Sequence, residues 1–245
     1  MPARRSPSLF LALALVAMPL SAAGPVELLP AKNGSPGTVY LQLDPDFAPS
    51  WRQVNAGRLV LRTPGLQRRL KAAADGERLA VEVGEDGCAL LLIDLGPAYL
   101  KGRPDAWRQV TRATKILTCS TAGGAAEQLA ARRAAGAMVT AKTGSRIELR
   151  PLANPALLRA GADLPLIAYL EGAAQAGVEV VAIAPDGSRR YRRTDAVGAA
   201  VVAIDLSGRW TIEYRQPRRR GEDLAASLVF DVPPPAFWQA LGLTR

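Results

Sequence analysis

No histidine occurs anywhere in the 245 residues. That absence excludes His-dependent general acid–base catalysis, Ser-His-Asp and Cys-His nucleophiles, and imidazole metal sites. Aromatic residues make up only 5% of the chain, too few for a base-stacking surface, so nucleic acid is not an expected partner. There are two cysteines, Cys88 and Cys119, and no C-x-x-C, which excludes a redox-active pair of that kind. No run after the N-terminus is long and apolar enough to span a bilayer. No motif sets a base beside a nucleophile, and the chain is expected to be no enzyme.

What is present begins with an export signal. Arg4 and Arg5 precede an apolar stretch from Leu9 to Met18. Pro19 breaks it, and Ser21-Ala22-Ala23 supplies the small residues of a cleavage site. Residues 1–23 are therefore read as a signal peptide, with a periplasmic or secreted mature chain that does not span the membrane. That mature chain carries 29 Lys and Arg against 22 Asp and Glu, and all but five of its basic residues are arginine. A basic exported protein meets anionic polymers and lipids, or else reflects an arginine-rich proteome. In an oxidising compartment Cys88 and Cys119 are expected to pair, with two free structural thiols as the alternative.

Period-2 alternation and turn residues dominate, so the fold class is all-β, with two sandwich-like domains. Residues 24–119 form the first, with strands at Thr38–Leu43, Arg58–Thr63, Leu66–Lys71, Arg78–Val83, Cys88–Asp94 and Thr111–Thr118. Residues 120–144 are either an Ala-rich linker or a short helix, and within Thr121–Gly136 Leu129 is the one large anchor. Residues 145–232 give seven strands at intervals near those of an immunoglobulin-like sandwich. Pro185-Asp186-Gly187-Ser188 reads as a hairpin turn, Thr194-Asp195 with Gly198 as a turn capped by the Asp, and Trp210 as core.

Two surface features stand out. Arg189-Arg190-Tyr191-Arg192-Arg193 puts arginine on both faces of a strand, which fits a charged edge strand. The functional reading is an anion-binding stripe of Arg189, Arg190, Arg192 and Arg193, joined by Arg218, Arg219 and Arg220. After Pro233-Pro234-Pro235, the tail bearing Phe237, Trp238 and Leu241 either docks on its own domain or anchors a partner.

The stretch from Ile147 to Val232 resembles the periplasmic nickel-uptake substrate-specific accessory family. The resemblance rests on Ile147-Glu148-Leu149-Arg150-Pro151-Leu152 with Asn154-Pro155, and on Leu158 to Pro165. It also rests on Gly177-Val178-Glu179-Val180, Thr194 to Gly198, Gly208-Arg209-Trp210 and Ala226 to Phe230, with Arg112 to Lys115 leading in. It implies an immunoglobulin- or transthyretin-like C-terminal domain and an accessory role in metal-ion uptake beside an outer-membrane receptor. The family begins its mature chain with a His; here Gly24-Pro25-Val26-Glu27-Leu28 stands instead. Nickel and copper favour imidazole and sulfur, so no cofactor is expected of this chain. Two functions follow as expectations. One is a non-catalytic exported accessory protein that meets a membrane transporter or receptor. The alternative is an envelope protein of structural or adhesion type that holds anionic polymer through its arginine faces.

Overall fold

The computed structural model describes residues 26–30, 38–43, 58–70, 74–75, 78–82, 87–100, 108–217 and 222–243. The expected signal peptide and Arg218, Arg219 and Arg220 lie outside them. The chain is mostly β, with sixteen strands among the described residues. In the first half these are β1 (Val26–Pro30), β2 (Thr38–Leu43), β3 (Arg58–Thr63), β4 (Leu66–Arg69), β5 (Ala74–Asp75), β6 (Arg78–Glu82), β7 (Cys88–Leu100) and β8 (Arg108–Cys119). Helices α1 (Ala125–Ala134) and α2 (Gly136–Thr140) follow. Then come β9 (Ile147–Pro151), β10 (Ala162–Leu170), β11 (Ala173–Ala174), β12 (Glu179–Ile183), β13 (Arg189–Arg193), β14 (Ala199–Ile204), β15 (Gly208–Pro217) and β16 (Glu222–Val232). A last helix, α3 (Pro235–Ala240), closes the chain.

The second half is the expected immunoglobulin-like sandwich. One sheet runs β9-β10-β14, with β11 on β10, and faces the run β13-β12-β15-β16. Alternation decides which side chains meet between the sheets. Leu164, Leu166 and Ala168 of β10 and Val202 and Ile204 of β14 lie opposite Val180 and Ala182 of β12. Trp210, Ile212 and Tyr214 of β15 and Leu228 and Phe230 of β16 complete that core. Trp210 has 0% of its surface exposed, and its indole N–H donates to Leu206 O at 2.9 Å.

The sandwich does not stop at β16. β8 lies parallel to it, Glu222 opposite Gln109 through Val229 opposite Ile116, and the sheet continues through β7 and β3 to β4. One eight-stranded sheet, β13-β12-β15-β16-β8-β7-β3-β4, therefore crosses the division expected between residues 119 and 145. Val60, Leu90, Leu92 and Leu117 share one apolar cluster with Ile147 and Leu149. The opposite face of the same strands, Leu59, Leu61, Leu91, Ile93 and Ile116, is buried too. Strands apolar on both faces belong between layers, which explains the unbroken Ala89–Ile93 run. A separate four-stranded sheet, β1-β2-β6-β5, completes the first half. Between Leu95 and Ala98 the β7–β8 register shifts, at Gly96-Pro97, where proline has no N–H to give the ladder.

The 120–144 segment takes the helical of its two expected forms, but Leu129 is not its anchor. Ala135 and Val139 are buried, and so is Arg132, whose guanidinium donates to Ala156 O at 3.2 Å. Small residues let the helix approach its neighbours closely enough for a charged head to reach a carbonyl beneath it.

Cys88 and Cys119 stand directly opposite each other on β7 and β8 and are bonded. The backbone hydrogen bond from Ser120 N to Gly87 O, 2.8 Å, lies beside them. Replacing both cysteines with serine is expected to lower stability by about 2–5 kcal/mol, because the unfolded chain regains the freedom of the loop between them. Urea denaturation of the oxidised chain against that variant measures it.

Candidate functional site

The four described arginines of the expected stripe come together on β13, and β13 is the terminal strand of the eight-stranded sheet. The local cause is the turn that precedes it. Gly187 adopts φ +81°, Asp186 Oδ1 accepts from Ser188 N at 2.9 Å, and Ala184 N donates to Ser188 O at 2.9 Å, so the chain reverses directly from β12 into β13. Hydrogen bonds from the Ser188 hydroxyl and from its backbone N–H hold the Asp186 carboxyl below its usual pKa. At the far end Asp195 Oδ1 accepts from Val197 N and Ala199 N, each at 2.9 Å, as the sequence predicts of a capped turn.

Register then sorts the side chains. Arg190 lies opposite Ala182 and Arg192 opposite Val180, on the core side. Arg190 reaches over the buried Trp210, its guanidinium 4.8 Å from the ring centroid. It pairs with Asp205 at 2.5 Å and donates to Ala203 O at 2.9 Å. This arginine covers the end of the sandwich core, and its charge is matched. Arg192 is exposed and donates to the carbonyl of Tyr191 at 2.9 Å.

On the outer side Arg189, Tyr191 and Arg193 stand opposite Ile183, Val181 and Glu179. Tyr191 is 54% exposed and sits between two exposed arginines, with half-buried Val181 and Ile183 beside it. The edge thus presents an aromatic ring and arginine heads on the outer face, with Arg192 exposed on the other.

The other end of the sheet is basic as well. All four residues of β4, Leu66, Gln67, Arg68 and Arg69, are exposed. β4 borders a cleft of about 830 Å³ whose walls include Leu61, Leu66, Arg68, Ser120, Glu127 and Ala131.

The tail does not offer its aromatic rings to a partner. Phe237 and Trp238 are 9% and 7% exposed and pack edge to face, with centroids 5.0 Å apart. Arg132 lies 5.3 Å from the Phe237 ring and Arg159 4.4 Å from the Trp238 ring. Arg159 also donates to Leu243 O at 3.0 Å, and Leu241 is half-buried. Of the two expected forms of the tail, Phe237 and Trp238 take the one docked on their own domain, with Leu241 half-buried beside them. Cationic and aromatic faces complement each other there, and the apolar rings leave water.

One polar constellation escapes sequence reasoning. Lys115 of β8, 4% exposed, donates to Glu148 Oε1 of β9, 3% exposed, at 2.6 Å. The same oxygen accepts from Thr143 N at 2.9 Å. Next to it Ser145 Oγ donates to Asp94 Oδ1 at 2.8 Å and lies 3.1 Å from Thr143 Oγ1. Burial pulls the Lys115 pKa below its ordinary value although Glu148 opposes the shift. This network ties β7, β8 and β9 together around the α2–β9 connection. Among the described residues no group of three or more His, Cys, Asp or Glu is placed to hold a metal ion.

No curated protein matches the chain. Among solved structures, a Ca2+-stabilised adhesin that helps an Antarctic bacterium bind ice aligns at 13% identity. That alignment covers 80% of this chain and 43% of the adhesin chain, with a TM-score of 0.27. Two fibronectin type III domains of chicken tenascin align at 10% identity over 84% of this chain and 97% of theirs, TM-score 0.26. The fibronectin(III)-like modules of Clostridium thermocellum CbhA align at 11% identity over 80% and 86%, TM-score 0.24. These likenesses are too distant to bear on what the edge does. A family model matches residues 75–217, more than half of the chain and most of the eight-stranded sheet, and by that match the chain belongs to the DUF4198 family, a domain of unknown function.

Proposed function

We propose that the chain is a non-catalytic, exported binding module that uses the β13 edge of its long sheet to contact an anionic partner at the cell envelope. The observation that carries this reading is Tyr191 exposed amid the arginines of a terminal strand. Charge alone defends an edge against pairing. A large exposed aromatic at the centre of the strand adds contact area that defence does not require.

The accessory role in nickel uptake implied by the family resemblance enters in a narrower form, as a protein contact with an uptake receptor. The chain supplies no imidazole for the metal itself. Export rests on the Arg4-Arg5, Leu9–Met18 and Ser21-Ala22-Ala23 pattern.

Dextran sulfate serves as the probe of anion contact. Its affinity is expected to fall at least about tenfold between about 0.05 and 0.2 M salt, since exposed charges are screened within about 8 Å at physiological ionic strength. The triple variant Arg189→Ser, Arg192→Ser, Arg193→Ser should lose most of the low-salt binding. Undetectable binding at low salt, or binding indifferent to salt and to the triple variant, would overturn the proposal.

A further inference from the structure

We infer that β13 accepts an acidic, extended polypeptide segment as a ninth strand of the long sheet, so that the partner is read by backbone pairing as well as by charge. The inference rests on the reading of β13 as an anion contact and specifies what the anion is.

The hydrogen-bond pattern sets up the edge. In an antiparallel pair, residues alternate between those that exchange bonds with the partner and those that point away. Thr194 N donates to Val178 O and Ala184 N to Ser188 O, each at 2.9 Å. In the register that pairs Arg192 with Val180 and Arg190 with Ala182, the even-numbered residues face β12. The N–H and C=O groups of Tyr191 and Arg193 therefore point outward, spaced for another strand. β13 is five residues long with no proline, and its pairing with β12 is continuous. Bulges, prolines, short length and charged side chains are the usual means of blunting an edge; β13 has modest length and its arginines, and that charge repels basic strands while leaving the edge open to an acidic one.

Charge selects the occupant. A second copy of the chain is disfavoured, because both ends of the eight-stranded sheet are arginine strands, Arg189–Arg193 and Leu66–Arg69. Like charges directly opposite each other in a ladder are destabilising. On β13 Arg190 is matched by Asp205 and Arg193 faces Glu179, while Asp186 and Asp195 are engaged with backbone N–H groups of their own turns. Arg192 spends its guanidinium on the carbonyl of Tyr191. An incoming strand supplies an N–H for that carbonyl and a carboxylate for Arg192, so both groups gain a better partner. Tyr191, Val181 and Ile183 offer an apolar strip on the outer face. The fitting segment alternates Asp or Glu with apolar residues.

The test uses the full chain and a short blocked peptide of alternating Glu and Val. It is compared with the same peptide N-methylated on every backbone nitrogen and with dextran sulfate. Methylation keeps the charge and removes the donors, and it is expected to weaken binding at least about tenfold. Tyr191→Pro removes an outward N–H without taking a donor from the β12 ladder, and proline is tolerated at such an edge position. That variant should lose the peptide about tenfold while keeping its melting temperature. Tyr191→Thr, which keeps the N–H, should retain more of the peptide binding than Tyr191→Pro. Hydrogen exchange at the amides of Tyr191 and Arg193 should slow at least about tenfold with the peptide and stay unchanged with dextran sulfate. Equal binding of the methylated and unmethylated peptides, or binding of dextran sulfate alone, overturns strand addition and leaves the anionic contact standing. Failure of both probes at low salt overturns the contact as well.

Discussion

Replacing Glu148 with Gln is expected to destabilise the fold by about 3–5 kcal/mol, because it strands the Lys115 ammonium without a counter-charge in a site that excludes water. Two partners of the carboxylate bear on the outcome. Thr143 N keeps an acceptor in the amide oxygen, so the α2–β9 connection stays tethered. Lys115 does not keep its counter-charge. Its pKa is already pulled down, by burial first and then by nearby Arg62 and Arg150, with Glu148 alone pushing the other way. The sign of the pH dependence follows. Between the lowered folded pKa and the unfolded value near 10.4, the unfolded chain binds more protons at Lys115 than the folded chain does. Stability attributable to this group therefore rises with pH across that window, and the window is wider in Glu148→Gln, which lacks the carboxylate that opposes the shift. The double variant Lys115→Met, Glu148→Gln should recover most of the loss, since it removes the stranded ammonium and still leaves Thr143 N an acceptor. Urea denaturation at neutral pH and near pH 10 on the three proteins reads all of this. A loss below about 1 kcal/mol for Glu148→Gln would show that water reaches the pair.

That pair also marks the limit of what the sequence discloses. The Thr111–Thr118 part of β8 is legible from its β-branched residues, and Cys119 from its pairing with Cys88. Alternation even places Lys115 on the same face as Ala113 and Leu117. What it meets there depends on Glu148, which lies on a different sheet, and no local pattern announces that contact. The parallel docking of β8 on β16 is invisible for the same reason: it joins segments more than a hundred residues apart, and either strand reads equally well with another neighbour. The β13 edge is legible because its cause is local, four arginines around one tyrosine between two turns with their own capping carboxylates. Arg132 is the opposite case. On an Ala-rich stretch it reads as a solvated head, yet Ala135 and Val139 bring the helix so close to the core that its guanidinium is covered. Burial pulls its pKa down.

Truncation after Val232 is expected to have the largest effect of all, on stability and not only on partner binding. Residues 233–243 bring two nearly buried aromatic rings onto the sandwich. Removing one such ring from a core costs about 3–5 kcal/mol, and losing both approaches the whole stability of an ordinary domain, about 5–15 kcal/mol. The truncation also uncovers Arg132 and Arg159, whose faces the rings occupy. At about 2–4 °C per kcal/mol for a chain of this size, the melting temperature should fall by at least about 10 °C. A partner lost from the truncated chain would thus report unfolding rather than a missing contact, unless the melting temperature holds. Single substitutions separate the contributions. Trp238→Ala should lose about 3 kcal/mol or more. Trp238→Phe should lose much less, because the indole N–H is buried without an acceptor among the described residues and its removal leaves no donor unsatisfied. If Trp238→Phe proves as damaging as Trp238→Ala, then the indole N–H or its stacking with Arg159, and not burial of the ring, holds the tail in place.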